Sequence, residues 1–133
     1  MKVHALDHIV FNVRDVDASA SWYEHALGME RHVTRPEAGG DERTYLTFGV
    51  NKINLRPITK TQDEWFTGDV PTPGSEDLCF LTYASPEAVA DHFRSLGINV
   101  AEGPVTKTGA QGSILSVYVR DPDGNLIEVS SYQ

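Results

Sequence analysis

Asp121-Pro122-Asp123-Gly124-Asn125-Leu126-Ile127-Glu128 brings the chain through a tight turn into an alternating strand near its end. The proline presets one φ, and Gly124 or Asn125 tolerates a positive one, so the backbone reverses here for a definite reason. Beyond the turn, period-two alternation sends Ile127 and Val129 to one face and Leu126, Glu128 and Ser130 to the other. Glu128 is thus a carboxylate in mid-strand among apolar neighbours, where it needs a partner or a task.

Upstream, the chain repeats itself. An offset of 69 lays Leu6-Asp7-His8-Ile9-Val10-Phe11 over Ser75-Glu76-Asp77-Leu78-Cys79-Phe80, and Ala26-Leu27-Gly28-Met29 over Ser95-Leu96-Gly97-Ile98. Each copy opens with an alternating strand, residues 4–13 and 76–83, and a helix follows each. Asp17 is placed to cap the first helix, Ala20, Trp22, Tyr23, Ala26 and Leu27 form its apolar stripe, and Gly28 suits the left-handed position that ends it. Ser85 caps the second, with Pro86 at its first position, Val89, His92, Phe93 and Leu96 at helical spacing, and Gly97 closing it.

Three strands follow in each copy, near 29–35, 43–49 and 52–57 and near 98–106, 113–120 and 125–131. Gly39-Gly40 and Gly109 to Gly112 mark loops, while Gly49-Val50-Asn51 and Pro122 to Gly124 mark tight hairpins. The unit is βαβββ, and the class is α+β. One domain spans 1–133, with module 1 at 4–57, a proline-rich polar linker at 58–74 that carries Trp65 and Phe66, and module 2 at 75–131. A sheet with a helix on one face leaves the other open, so two copies are expected to curl their open faces into a shared cup of mixed sheet. Alternation sends His8, Val10 and Asn12, and in the second copy Asp77, Cys79 and Leu81, into that cup.

The formal charge of -8, with eleven Lys and Arg scattered along 133 residues, argues against nucleic acid or an anionic membrane and leaves a small molecule as the expected partner. A single cysteine and no apolar run of signal-peptide or membrane-spanning length make the cytoplasm the expected compartment. Arg56 shares a face with Asn54, so its guanidinium is expected either at the cup rim, clamping a carboxylate or phosphate, or solvated at the strand end. Ser116, Tyr118 and Arg120 share a face, Cys79 reads as a small buried hydrophobe, and His4, His25, His32 and His92 show no ligand spacing.

Two βαβββ copies, a histidine early in the first strand and the closing Asp-Pro-Asp-Gly-Asn-Leu-Ile-Glu together resemble the vicinal-oxygen-chelate superfamily of glyoxalase I, bleomycin and fosfomycin resistance proteins, methylmalonyl-CoA epimerase and extradiol dioxygenases. Within it, Lys52-Ile53-Asn54-Leu55, Pro71-Thr72-Pro73-Gly74-Ser75 and Asp77-Leu78-Cys79 are similar to the branch of glyoxalase-domain-containing or virulence-type proteins.

The resemblance implies metal ligands on the first and last strands of each copy. These positions hold His8 and Asn54, then Asp77 and Glu128, the last found by laying Lys52-Ile53-Asn54-Leu55 over Leu126-Ile127-Glu128-Val129 at an offset of 74. Asp77 stands where the family commonly has a second histidine, and Asn54 where it has a glutamate or glutamine. These departures set the chain apart from glyoxalase I. Such nitrogen and oxygen donors suit Mn, Fe, Ni, Zn or Mg, and two carboxylates favour Mn or Mg over zinc. Tyr118 lies ten residues before Glu128, the spacing of a substrate-binding tyrosine in fosfomycin-resistance proteins, with Ser116 beside it.

The implied activity is a divalent-metal-dependent lyase, isomerase or dioxygenase acting on a small oxygen-chelating substrate, with Glu128 and Tyr118 at the chemistry. The alternative is a metal-free binding or resistance protein that sequesters a small molecule in the cup. Family habit implies a homodimer, with an exposed Trp65-Phe66 pair available for the contact.

Overall fold

The computed structural model describes residues 1–37 and 39–133. It divides into two compact units, Met1–Gly74 and Ser75–Gln133. Each is a four-stranded mixed sheet with a helix, in βαβββ order.

In the first unit, β1 (His8–Val13) leads to α1 (Val16–Leu27), then β2 (Glu30–Thr34), β3 (Arg43–Phe48) and β4 (Asn51–Pro57). The sheet order is β1-β4-β3-β2, with β1 and β4 parallel and the other pairs antiparallel. The helix starts at Asp15 and not at Asp17, because the Asp15 carboxylate accepts from Ala18 N at 2.9 Å. Asp17 falls in the first turn and pairs with Arg31 at 3.2 Å. Gly28, at φ 65°, ends α1 in the left-handed conformation the sequence requires of it. Strand β1 begins four residues later than expected, since pairing with β4 starts at His8 opposite Lys52. Phe11 and Val13 are fully buried with Tyr23, Leu46 and Ile53, and the Phe11 and Tyr23 rings meet at 5.7 Å. Burial of each such side chain contributes about 2 kcal/mol.

In the second unit, β5 (Asp77–Leu81) leads to α2 (Pro86–Ser95), then β6 (Glu102–Gly109), β7 (Gly112–Arg120) and β8 (Leu126–Tyr132), in the sheet order β5-β8-β7-β6. Ser85 caps α2 and Pro86 opens it as expected, while Leu96 is the final cap and Gly97 takes the left-handed turn after it. Strand β6 starts at Glu102 and not near 98, because the chain is still leaving the helix there, with Ile98 N donating to the Phe93 carbonyl. A bulge between Glu102 and Val105 shifts the register, and Gly103, at φ 100°, lies so close to the Ser116 carbonyl oxygen that no Cβ fits. Gly109 and Gly112 pair directly, so this segment is a two-residue hairpin and not the expected loop. Val89, Phe93, Val117, Val119, Ile127 and Val129 fill the core of this unit.

The turn before β8 is a clasp of buried polar groups. Asp121 Oδ1 accepts from Asp123 N and Asn125 N, each at 2.9 Å, and its Oδ2 accepts from Asn125 Nδ2 at 2.8 Å. Asn125, fully buried, passes the clasp to β5 by accepting from Glu76 N at 2.8 Å, and Leu126 N donates to the Glu76 carbonyl at 3.0 Å. The start of β8 is thereby tied to the start of β5, which sets their register. Among the described residues, no helix is long and apolar enough to cross a membrane.

Asn125→Ala leaves buried donors and acceptors unpaired and is expected to destabilise the protein by about 2 to 3 kcal/mol in urea unfolding; a loss below about 0.5 kcal/mol would show that the clasp is not structural.

Candidate functional site

Glu128 lies mid-strand in β8, opposite Tyr118 on β7 and Cys79 on β5. Two hydroxyls grip one oxygen of its carboxylate. Ser116 Oγ donates to Glu128 Oε1 at 2.5 Å, and Ser130 Oγ lies 3.2 Å from the same oxygen and 2.8 Å from Ser116 Oγ. Both serines are buried to 1% exposure or less, so these bonds are sheltered from water and the short one is charge-assisted. Cys79 Sγ reaches Ser130 Oγ at 3.4 Å, and burial pushes its thiol up from the ordinary value. Cys79 is an exposed residue nonetheless, so the small buried hydrophobe expected there is not what the position holds.

Burial first, and the bond and charge of Glu128 next, push the Tyr118 phenol up to about 12. Tyr118 therefore keeps its proton beside Glu128. These side chains line a cavity of about 450 Å3 with Asp77, Glu102, Lys107, Arg120 and Leu126. Lys107 Nζ lies 5.4 Å above the Tyr118 ring and 3.5 Å from Glu102 Oε1.

In the first unit, His8 is half-exposed and its Nδ1 lies 2.7 Å from Asp7 Oδ1. Asn54 sits opposite Tyr45 on β3 and Val10 on β1, so it shares a sheet face with Lys52, the register partner of His8. Lys52 Nζ lies 4.5 Å above the Tyr45 ring, as Lys107 lies above Tyr118 in the second unit.

Asp77, Tyr118 and Glu128 thus line one cavity with Ser116 bonded to Glu128, while His8 and Asn54 stand on the other unit's sheet. Among the described residues, within neither unit do three His, Cys, Asp or Glu side chains gather as a metal-holding group.

Arg56 departs from the expected rim clamp. It is 1% exposed, and its guanidinium donates to Asn12 Oδ1 at 2.9 Å and to the carbonyls of Trp65, Lys60 and Thr61 at 3.0, 2.6 and 3.2 Å. The side chain is occupied in holding the segment after β4. Trp65 is likewise no exposed contact residue: Arg43 stacks 4.3 Å above its ring, and only Phe66 of the pair stands in solvent. Lys60 adds an ion pair to Asp41.

Sequence reasoning gave no role to Ser130, Glu102 or Lys107. Ser130 had a signal, since alternation set it on the face of Glu128. Glu102 and Lys107 had none, because their placement passes through the bulge in β6.

The chain belongs to the glyoxalase/bleomycin resistance protein/dioxygenase superfamily, whose family model matches residues 5–129. Virulence protein STM3117 of Salmonella typhimurium strain LT2 is 41% identical over 134 residues, covering 99% of this chain and 87% of that protein. Its crystal structure matches with a TM-score of 0.86 over 100% of both chains. Glyoxalase domain-containing protein RDO1 of Mycosarcoma maydis is 45% identical over 133 residues, 100% of this chain and 71% of that protein. The integron cassette protein VPC_CASS1 from the mobile metagenome of V. Pseudocholerae is 41% identical, with a TM-score of 0.90 over 100% of this chain and 98% of that one.

Two outcomes test this geometry. Because the folded phenol of Tyr118 holds its proton to about pH 12 while an unfolded tyrosine releases it near 10, stability must fall as pH rises through that window. Urea unfolding between those pH values is expected to show a steeper fall in the wild type than in Tyr118→Phe, and equal slopes would contradict the assignment. Arg56→Lys loses the guanidinium fork and is expected to cost about 2 kcal/mol and to open residues 60–66 to limited proteolysis; unchanged stability and cleavage would refute the anchoring role.

Proposed function

We propose that the protein is a divalent-metal-dependent enzyme of lyase, isomerase or dioxygenase type acting on a small substrate with chelating oxygens. The observation that carries this reading is the fixed carboxylate of Glu128. Two buried hydroxyls orient Oε1, which is how outer-layer groups aim a metal-binding carboxylate. The donor types also fit: carboxylate, amide and imidazole groups suit a hard to borderline divalent ion. Glu128 and Asp77, which line one cavity of the second unit, would hold it. When bound, such an ion supplies Lewis acidity to substrate oxygens.

The chain's own residues do the rest. Tyr118 retains its proton at physiological pH and presents it as a hydrogen-bond donor beside Glu128. Ser116 and Ser130 keep the carboxylate from rotating away, and the acceptor it offers a substrate proton is held at one place. Leu126 and the Tyr118 ring give the cavity some apolar surface for a small organic ligand.

A second reading, a metal-free protein that sequesters a small ligand, is favoured by Lys107 above the Tyr118 ring, a pairing that suits a planar anion without any ion.

Elemental analysis of protein purified without chelator separates the two. The enzyme reading expects about one equivalent of a transition metal or Mg per chain, and Ser116→Ala and Glu128→Gln are each expected to weaken metal affinity about tenfold or more. Less than about a tenth of an equivalent after soaking, with ligand-induced thermal stabilisation indifferent to EDTA, would replace it with the sequestration reading.

A further inference from the structure

Ser116, Ser130 and Glu128 make three contacts with only two hydroxyl hydrogens between them, so the direction of each bond can be worked out. A carboxylate oxygen only accepts, and Ser116 Oγ, 2.5 Å from Glu128 Oε1, gives its one hydrogen there. Ser116 Oγ is then an acceptor, and Ser130 Oγ, 2.8 Å away, is placed to donate to it. The same Ser130 hydrogen has a second acceptor in Glu128 Oε1 at 3.2 Å. Two acceptors thus compete for one hydrogen in a setting that water does not reach, where an unmade bond is costly.

Cys79 stands at the outer end of this chain. It is the register partner of Glu128, and its Sγ lies 3.4 Å from Ser130 Oγ, nearer than its other acceptor, the Phe80 carbonyl at 4.0 Å. A thiol beside a carboxylate keeps its hydrogen, because the neighbouring negative charge disfavours a thiolate. Donated to Ser130 Oγ, that hydrogen occupies a lone pair and restrains rotation of the hydroxyl. The donors then run one way, from Cys79 to Ser130 to Ser116 to Glu128, and each link polarises the next. The first unit has no counterpart: the offset of 69 lays Val10 on Cys79, and the offset of 74 lays Arg56 on Ser130. Thiol and hydroxyl occur together only in the unit whose last strand carries the acid.

Resting on the reading of Glu128 as the anchoring carboxylate, we propose that Cys79 is a positioning residue of that site, its thiol hydrogen fixing the Ser130 hydroxyl and, through Ser130 and Ser116, the carboxylate oxygen. In this role the thiol is a donor and touches neither ion nor substrate.

Two measurements on the full chain test the two links separately. Cys79 is the sole cysteine, so its S–H stretching band in the infrared is unambiguous, and reading it needs no ion. The band is expected at lower frequency in the wild type than in Ser130→Ala, where the acceptor is gone; an identical band in both would overturn the proposal. For the link to Glu128, Mn2+ affinity is compared among wild type, Cys79→Ala, Ser130→Ala and the variant carrying both changes. Cys79→Ala is expected to weaken binding about threefold or more, and the double variant to bind as Ser130→Ala does, because the thiol acts only through that hydroxyl. Unchanged affinity in Cys79→Ala, or losses that add in the double variant, would each overturn it. Wild-type protein that takes up no Mn2+ sinks the metal reading instead, and the band shift then still decides the thiol's bond.

Discussion

The buried clasp of Asp121 and Asn125 is the constraint on which the second unit depends. Three hydrogen bonds close the turn on itself and two more, from Glu76 N to Asn125 and from Leu126 N to the Glu76 carbonyl, tie the entry of β8 to the entry of β5, and Cys79 and Tyr118 then fall on either side of Glu128. A slip of one residue would turn Glu128 toward the apolar core and leave Ile127 on the cavity wall. The polar groups of the clasp are costly to bury unless all are paired, and here each has its partner, so it gives specificity of register at no net penalty. The placement of Glu128 is therefore a consequence of turn chemistry several residues away.

The two units use one plan for different ends. Each sets an aromatic ring opposite the polar residue of its last strand, Tyr45 opposite Asn54 and Tyr118 opposite Glu128, and each carries a lysine above that ring. They diverge one step along the strand. The offset of 74 that aligns Asn54 with Glu128 lays Arg56 on Ser130. In the first unit that position reaches away to pin the segment around Trp65; in the second it turns back to steady the carboxylate. The duplication provides the frame; Glu128 in place of Asn54 supplies the acid, and a small hydroxyl in place of a long cation helps to fix it.

How much of this was legible follows from the range of each interaction. Alternation in Leu126 to Ser130 and helix punctuation by Gly28, Ser85, Pro86 and Gly97 are local, and the βαβββ repeat emerged from them. Asp15 and Asp17 are both chemically able to cap α1, so local chemistry does not choose between them, and the geometry of Ala18 N does. The start of β6 was misplaced because the bulge at Gly103 answers to Ser116, a residue in the next strand. Arg56 was misread for a similar reason: the sequence shows a cation on the face of Asn54, but the carbonyls that consume it come from a segment without periodicity. Turn chemistry at Asp121 to Asn125 was evident, while its long-range partner, Glu76 N, was not.

The central claim is that Glu128, steadied by Ser116 and Ser130, is the anchoring carboxylate of a divalent-ion site. Substoichiometric Mn2+ added to isotope-labelled protein, followed by amide proton NMR, locates such a site directly because the ion broadens nearby signals. The account predicts that the first resonances to vanish are those of residues flanking Glu128 and Asp77, and that the broadening is lost in Glu128→Gln. Broadening centred elsewhere, or equally strong in the variant, would contradict it.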